Sequence, residues 1–347
     1  MSPALAEMEQ EGGPFRGLTG NEVVIGNGRL NWWPEDEFEP GVDLFEHSGP
    51  DTPKLADDMP MGALAAAKAL EGVQIIRVEP GVPRTLALRL ISEAEGTGHH
   101  ARVGVVIEAG AHATLLESHE GWGGGYLSNT LIEIFVHEGA TLERVVVVEE
   151  PEDAISIASV EVHLKPGARY GHTIAATGAK LQRLETRIVH PGQDAEVRMD
   201  GVYALTGARH VDLTSVVDHQ GPDGRTSQLA KGVVRDTARG VFQGKIVVQR
   251  GADGTDARMG HHALILGERA EIDAKPELII YADDVQCAHG NTVGNLDESA
   301  LFYMQQRGLP ADEARALLTQ AFLFEVVDRI AHDGARERVR EWLTARL

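Results

Sequence analysis

A short turn recurs at near-constant spacing through the middle of this chain, and no other feature limits its possible folds as strongly. It reads Val78-Glu79-Pro80-Gly81, Ile107-Glu108-Ala109-Gly110, Val136-His137-Glu138-Gly139, Leu164-Lys165-Pro166-Gly167 and Val189-His190-Pro191-Gly192. The glycines lie 29, 29, 28 and 25 residues apart. In every copy the residue three before the glycine is apolar and its successor polar, and Ala111, Ala140 and Ala168 follow three of the glycines directly. Between turns, Val, Ile, Leu and Thr alternate with polar residues in short runs with hardly a helical period. A stack of hairpins would produce similar turns by reusing the same turn residues. A β-solenoid would make each repeat one coil, stack the apolar residues inward and give glycine a corner whose φ disfavours a side chain. The constancy of the period favours the solenoid. Residues 74–296 would then form about eight coils, and at ~4.8 Å per coil a rod of roughly 40 Å.

The flanks read differently. Residues 1–30 carry no readable pattern, and residues 34–58 gather four prolines with nine acidic residues, a composition that resists packing and reads as a loosely structured linker. The alanine run predicts a short helix from Pro60 to Leu70, capped by Asp58 and ended by Gly72. After Leu296 the period becomes helical. Asp297 can cap a helix that stops at Gly308; Pro310 restarts one whose apolar positions include Ala314, Leu318, Phe322 and Val326; Gly334 ends it before a last helix from Ala335 to Leu347. The expected division is an N-terminal region 1–73, a solenoid 74–296 and a helical module 297–347.

Charge removes several function classes. With 32 Lys and Arg against 53 Asp and Glu the net charge is −21, which repels phosphate backbones and acidic headgroups and argues against nucleic-acid or membrane partners. No apolar run reaches the roughly 18 residues of a transmembrane helix. The segment Met1 to Glu7 lacks the basic start and apolar core of a signal peptide, and a lone cysteine makes no intrachain disulfide, so the expected location is the cytoplasm. A phosphate-binding GxxxxGK[ST] loop is absent, and Asn31 stands where the third glycine of a dinucleotide fingerprint belongs. His119-Glu120 and His137-Glu138 lack the second histidine of a zinc-protease motif and read as polar turn residues; His261-His262 diverge on a strand and read as surface histidines. A polysaccharide-acting solenoid enzyme needs paired carboxylates, but Asp283 and Asp284 point to opposite faces of a regular strand.

The segment that can carry chemistry runs from Tyr281 to Gly294. If extended, it places Asp283, Val285, Cys287 and His289 on one face, with Cys287 and His289 about 6.6 Å apart along the strand. A thiolate and an imidazole suit zinc, iron or an iron–sulfur cluster. Two ligands do not close a site, so the others would come from Asp283, from small thiols or from another chain. A buried structural cysteine beside a hydrogen-bonded histidine, or a cysteine-hydrolase dyad lacking an orienting third group, are the competing readings.

Ala270 to Ile330 resembles the C-terminal core of the SufB/SufD family of the Suf iron–sulfur assembly system. The likeness rests on Lys275 to Leu278 (Lys-Pro-Glu-Leu, expected as a turn), Asp283 to Gly290 (Asp-Asp-Val-Gln-Cys-Ala-His-Gly), Phe302-Tyr303, Arg307-Gly308 and the helix that follows. The Cys-x-His after the acidic pair is similar to the SufD branch. The resemblance implies a right-handed parallel β-helix flanked by helical parts, and a non-enzymatic subunit. It implies pairing with a SufB-like paralogue through the end of the β-helix, with a homodimer possible when alone, and a SufC-like ATPase docked on the C-terminal helices. Phe302, Tyr303, Arg307, Gly308 and Phe322 would meet partners. Cys287 and His289 match interface positions implicated in cluster assembly, so no cofactor is expected to be stably bound, only a transient iron or iron–sulfur cluster between subunits. The alternatives are the polysaccharide-acting solenoid, which a chain at −21 suits poorly, and a homodimeric scaffold acting alone. The region before Ile75 lacks the aromatic-rich helical segment expected in many members.

Overall fold

The computed structural model describes residues 13–32, 38–47, 59–69, 73–93 and 96–347. Two sheets face each other. One holds β1 (Glu22–Gly26), β2 (Arg29–Trp32), β5 (Arg84–Ser92), β7 (His112–Gly121), β9 (Thr141–Glu149), β11 (Arg169–Ala176), β13 (Glu196–Leu205), β15 (Arg225–Val234), β17 (Asp256–Ile265) and β19 (Gln286–Gly294). The other holds β3 (Val42–His47), β4 (Val73–Val78), β6 (Gly98–Ile107), β8 (Leu127–Val136), β10 (Ile155–Leu164), β12 (Leu181–His190), β14 (His210–His219), β16 (Arg239–Val248) and β18 (Glu271–Ile280). From β4 onward the chain alternates between sheets, and each strand pairs in parallel with the strand two later, as Ile155 with Leu181 and Arg169 with Glu196. Eight pairs, β4–β5 through β18–β19, make eight coils of a parallel β-solenoid.

The period of the sequence follows from this stacking. Side chains alternate in and out of each strand, so Ile76, Val105, Ile134 and Val162 fall in one buried column. Gly110, Gly139, Gly167 and Gly192 turn the corner at φ between 62° and 74°, where a side chain is disfavoured. Gly81, in the first copy, is not in that region. The alanine after the glycine, Ala111, Ala140 or Ala168, is wholly buried at the corner. In the fifth copy the inward residue is His190 rather than Val189, because the corner is extended by Gln193 and Asp194, both at positive φ. His190 stacks on His219 of the next coil at 4.2 Å between centroids. The series continues at Gly251, φ 82°, followed by buried Ala252.

The interior is not wholly apolar. Arg144 reaches into the neighbouring coil and donates from Nε (2.8 Å) and Nη2 (2.6 Å) to the carboxylate of Glu117, which also meets His119 Nε2 at 2.7 Å. All three are buried. Burial alone would raise the Glu117 pKa, but the Arg144 charge and the hydrogen bonds outweigh it and hold it at about 2. His119 is thus a strand residue inside the solenoid, not a turn residue.

The flanking parts cover the solenoid. Val42–His47 forms a strand inside the stretch expected to be a linker, because Val42, Leu44 and the first coil's Ile76 and Val78 share apolar surface; the rest of 34–58 apart from residues 38–41 lies outside the described residues. β3 pairs antiparallel with β4, and β1 pairs in parallel with β5 and antiparallel with β2. Helix α1 (Pro60–Lys68) lies on the outer face of the β6–β8–β10 sheet, where Gly62 sits so close that a Cβ would be 3.0 Å from that of Ser159. It ends two residues short of Leu70, and the expected cap Asp58 and terminator Gly72 lie outside the described residues.

At the other end, α2 (Glu298–Gln306) is capped by Asp297, whose carboxylate accepts from the Ser299 and Ala300 N–H groups. Helices α3 (Ala311–Val327) and α4 (Asp333–Thr344) fold back on the outer face of the ten-stranded sheet, where Leu323, Val326, Val339 and Leu343 pack with Val145, Val147, Val202 and Val233. Gly334 does not end α3. It lies in the first turn of α4, because His332 accepts from the Ala335 N–H and caps that helix instead.

Candidate functional site: the uncovered last coil

β18 and β19 are the terminal strands of their sheets, each hydrogen-bonded on one side only among the described residues. Lys275 to Leu278, expected as a turn, lies within β18. Pro276 is tolerated there because the strand is an edge and the missing N–H costs no ladder bond.

Register fixes which side chains face the interior. Cys287 stands over Ala257, His289 over Met259, Asn291 over His261 and Val293 over Ala263. All four lower residues are buried, whereas His289, Asn291 and Val293 are exposed and Cys287 is half-buried. On β18, Leu278 and Ile280 continue the columns of Ile246 and Val248. Ile280 is 41% and Val293 44% exposed, although their counterparts one coil below are covered. Among the described residues the last coil is therefore an interior layer without a layer above it.

Cys287 and His289 share one face, two residues apart. Cys287, like Leu278, Ala282 and Val285, packs against the buried cluster that includes Ala257 and Met259. Burial raises its thiol pKa, and the Asp256 charge adds to this against the Ala257 backbone hydrogen bond. Asp283 is not brought to that face. It lies in the bend before β19, which becomes extended only at Gln286, and the Asp284 carbonyl accepts from Gly254 N–H at 2.7 Å. Among the described residues no three His, Cys, Asp or Glu side chains gather for a metal. Chemically, the pair offers one soft and one borderline donor at an open surface, which suits an ion or cluster completed from outside.

His261, expected at the surface, is wholly buried. Its ring stacks on Phe242 at 4.6 Å, with Nε2 2.9 Å from Tyr203 Oη and Nδ1 2.8 Å from Asn291 Oδ1. Burial drives its pKa down to about 4. His262 faces outward, with Nδ1 2.7 Å from Thr292 Oγ1. Neither Asn291 nor Tyr203 stood out in the sequence. The signal that finds Asn291 is its separation of 30 residues, one coil, from His261.

The expected partner residues fall into two groups. Phe302 and Tyr303 on α2 are 64% and 59% exposed, the Arg307 guanidinium lies over the Tyr303 ring at 5.3 Å, and Gly308 ends the helix at φ 93°. Phe322 sits apart, half-buried under the Lys231 ammonium at 4.4 Å, on the side of α3 that meets the solenoid.

Residues 90–322 match the family described as SUF system FeS cluster assembly, SufBD core domain. A SufBD family protein of Synechocystis is 31% identical over 254 residues, 71% of this chain and 56% of that protein. A chloroplastic protein of Arabidopsis thaliana is 31% identical over 244 residues, 69% of this chain and 51% of that protein. The iron–sulfur cluster assembly protein SufD of Escherichia coli is 33% identical over 178 residues, 51% of this chain and 42% of that protein. The chain thus spans about half the length of these curated relatives. The match covers the solenoid from β5 to α3, including Cys287, His289 and the exposed rings of α2, and the chain belongs to the SufB/SufD family of iron–sulfur cluster assembly proteins.

Proposed function

We propose that this chain is a non-enzymatic, SufD-type subunit that pairs through its uncovered last coil with a SufB-type paralogue. Cys287 and His289 then supply two ligands of a site completed by the partner, where iron or a nascent cluster is held in transit. The observation that carries this reading is the exposure of an interior layer at the coil bearing the chain's one cysteine. An unpaired sheet edge and an uncapped apolar layer are costly unless covered, and two ligands need completion in trans. Phe302 and Tyr303, with Arg307 and Gly308 beside them, form the surface for a SufC-type ATPase, and Phe322 supports the helix behind it. Asp283 lies beside the site, exposed in the bend before β19. No resident cofactor is needed. Among the described residues no helix is long and apolar enough to cross a membrane, in keeping with assembly in the cytoplasm.

Co-expression with tagged SufB-type and SufC-type proteins, followed by light scattering, tests the assembly. A heteromeric complex is expected; a chain that elutes alone beside well-folded partners overturns it. In that complex Cys287→Ala or His289→Ala should leave assembly intact and cut cluster formation by more than about a hundredfold, beyond the roughly 10–100-fold that loss of a hydrogen-bond partner of a ligand costs. Wild-type cluster yield in both removes the assigned role.

A further inference from the structure

We propose that Asn291 is a further binding residue of the Cys287–His289 site, held by His261 and Tyr203 so that an amide N–H points out of the last coil and donates to a sulfide of the nascent cluster. This rests on the function proposed above and adds a residue that neither the motif nor the ligand chemistry requires.

Three observations carry it. The first is that the interior is cut away to let Tyr203 reach. A Cβ on Gly232 would lie 1.8 Å from the Tyr203 ring, and one on Gly240 would lie 2.8 Å from it. The phenol therefore extends past Gly232 on β15 and Gly240 on β16 to meet His261 on β17. The second is that the His261 ring is fixed by its face as well as its edges. It lies 5° from parallel to Phe242 and 14° from Tyr203, so its two nitrogens have set directions. The third is the sense of the hydrogen bonds. Asn291 Oδ1 can only accept, so His261 Nδ1–H donates to it, Nε2 is left as acceptor, and Tyr203 O–H donates to Nε2. The carboxamide oxygen is thereby held inward, and the planar amide turns the N–H anti to that oxygen toward the open side, on the face shared with His289 one alternation away. An exposed asparagine on an edge strand ordinarily rotates freely; this one is anchored through two coils of interior.

N–H donors aimed at cluster sulfur stabilise its negative charge and tune its potential. The test uses the co-expressed complex reconstituted anaerobically with ferrous iron and sulfide, read by the visible sulfide-to-iron absorption and by the cluster's reduction potential. Asn291→Asp keeps the oxygen that accepts from His261 and replaces the outward donor by an acceptor. Loading at limiting iron should fall about tenfold in Asn291→Asp and in Asn291→Ala, with the potential of any cluster formed by Asn291→Ala shifted negative and its thermal midpoint unchanged. His261→Phe, which keeps the stack on Phe242, should fall similarly, and the His261→Phe/Asn291→Ala pair should lose no more than either single variant. Wild-type loading and potential in Asn291→Asp, with Cys287→Ala inactive, overturn the role of Asn291 alone. Wild-type loading in Cys287→Ala overturns the function and this inference together.

Discussion

The two ends of the solenoid face the same physical problem and meet it differently. At the first coil the columns that begin with Ile76 and Val78 are closed by Leu30, Phe38 and Leu44, carried by the N-terminal strands and the residues just before β3. β2 and β3 run antiparallel to their neighbours, so the parallel ladder stops there by a change of direction. At the last coil the same columns end in Leu278 and Ile280, beside Val293 of the other sheet, with no such cover among the described residues. A repeat that buries its inner face only against neighbours needs a cap at each end. Among the described residues the cap belongs to the end remote from Cys287, and the end that carries the donors is the one without it.

The largest effect should come from placing the same charge in a covered and an uncovered layer. Ile107→Arg puts an unpaired guanidinium in the column that begins with Val78, and several kcal/mol of burial penalty should leave no folded protein. Val293→Arg lets the side chain extend into solvent. The isolated chain should then keep its thermal midpoint while co-purification with the paralogue is lost. Equal destabilisation by the two variants would show that the last coil is covered from within the chain and would remove the contrast.

Within the covered coils, Glu117→Ala should cost about 3–5 kcal/mol, measured by chemical denaturation, because it strands Arg144 as a buried, uncompensated charge. Acid should act on the same interior. Burial lowers the pKa values of His190, His219 and His261 to about 4, 3 and 4, against roughly 6.5 in the unfolded chain. A depressed folded pKa means that the unfolded state takes up protons first. The stability these residues confer is complete above about pH 6.5 and is lost as pH falls toward 4, by up to about 1.4 kcal/mol per pH unit for each histidine. Denaturant midpoints at pH 7.5, 6 and 5 should therefore descend; a flat profile would mean that these rings are hydrated. Glu117 adds its own loss only lower, between about pH 4.3 and its folded value near 2.

Much of this architecture is legible because a solenoid writes its period directly into the chain. Val78, Ile107 and Val136 mark corners at a fixed distance, and one coil resembles the next. The same regularity hides what crosses between coils. Glu117 and Arg144 are 27 residues apart, and His261 and Asn291 are 30; their partnership depends on the register of stacking, which no local pattern encodes. His261 read as exposed because its neighbour His262 shares its type while alternation sends the two to opposite faces. Val42–His47 was obscured by the acidic and proline-rich residues around it, since its burial comes from the first coil and not from its own sequence. Cys287 and His289 were legible through their spacing on one strand, but their exposure comes from where the stack ends.

The smallest effect compares two corners. Gly139 turns at φ 62° and a Cβ there would meet nothing within 4 Å, so Gly139→Ala tests backbone strain with no steric clash. A left-handed alanine should cost about 1 kcal/mol, seen as a lowering of the thermal midpoint by roughly 2 °C. Gly81 occupies the same place in the first copy of the turn, also in open space, without the positive φ. Gly81→Ala should be neutral or stabilising by about 0.4–1 kcal/mol, since it restricts only the unfolded chain. The first corner, next to the antiparallel cap, has left the geometry that the inner coils repeat. If both substitutions destabilise equally, the first corner shares the strain of the others and the capped end is an ordinary coil with strands added to it.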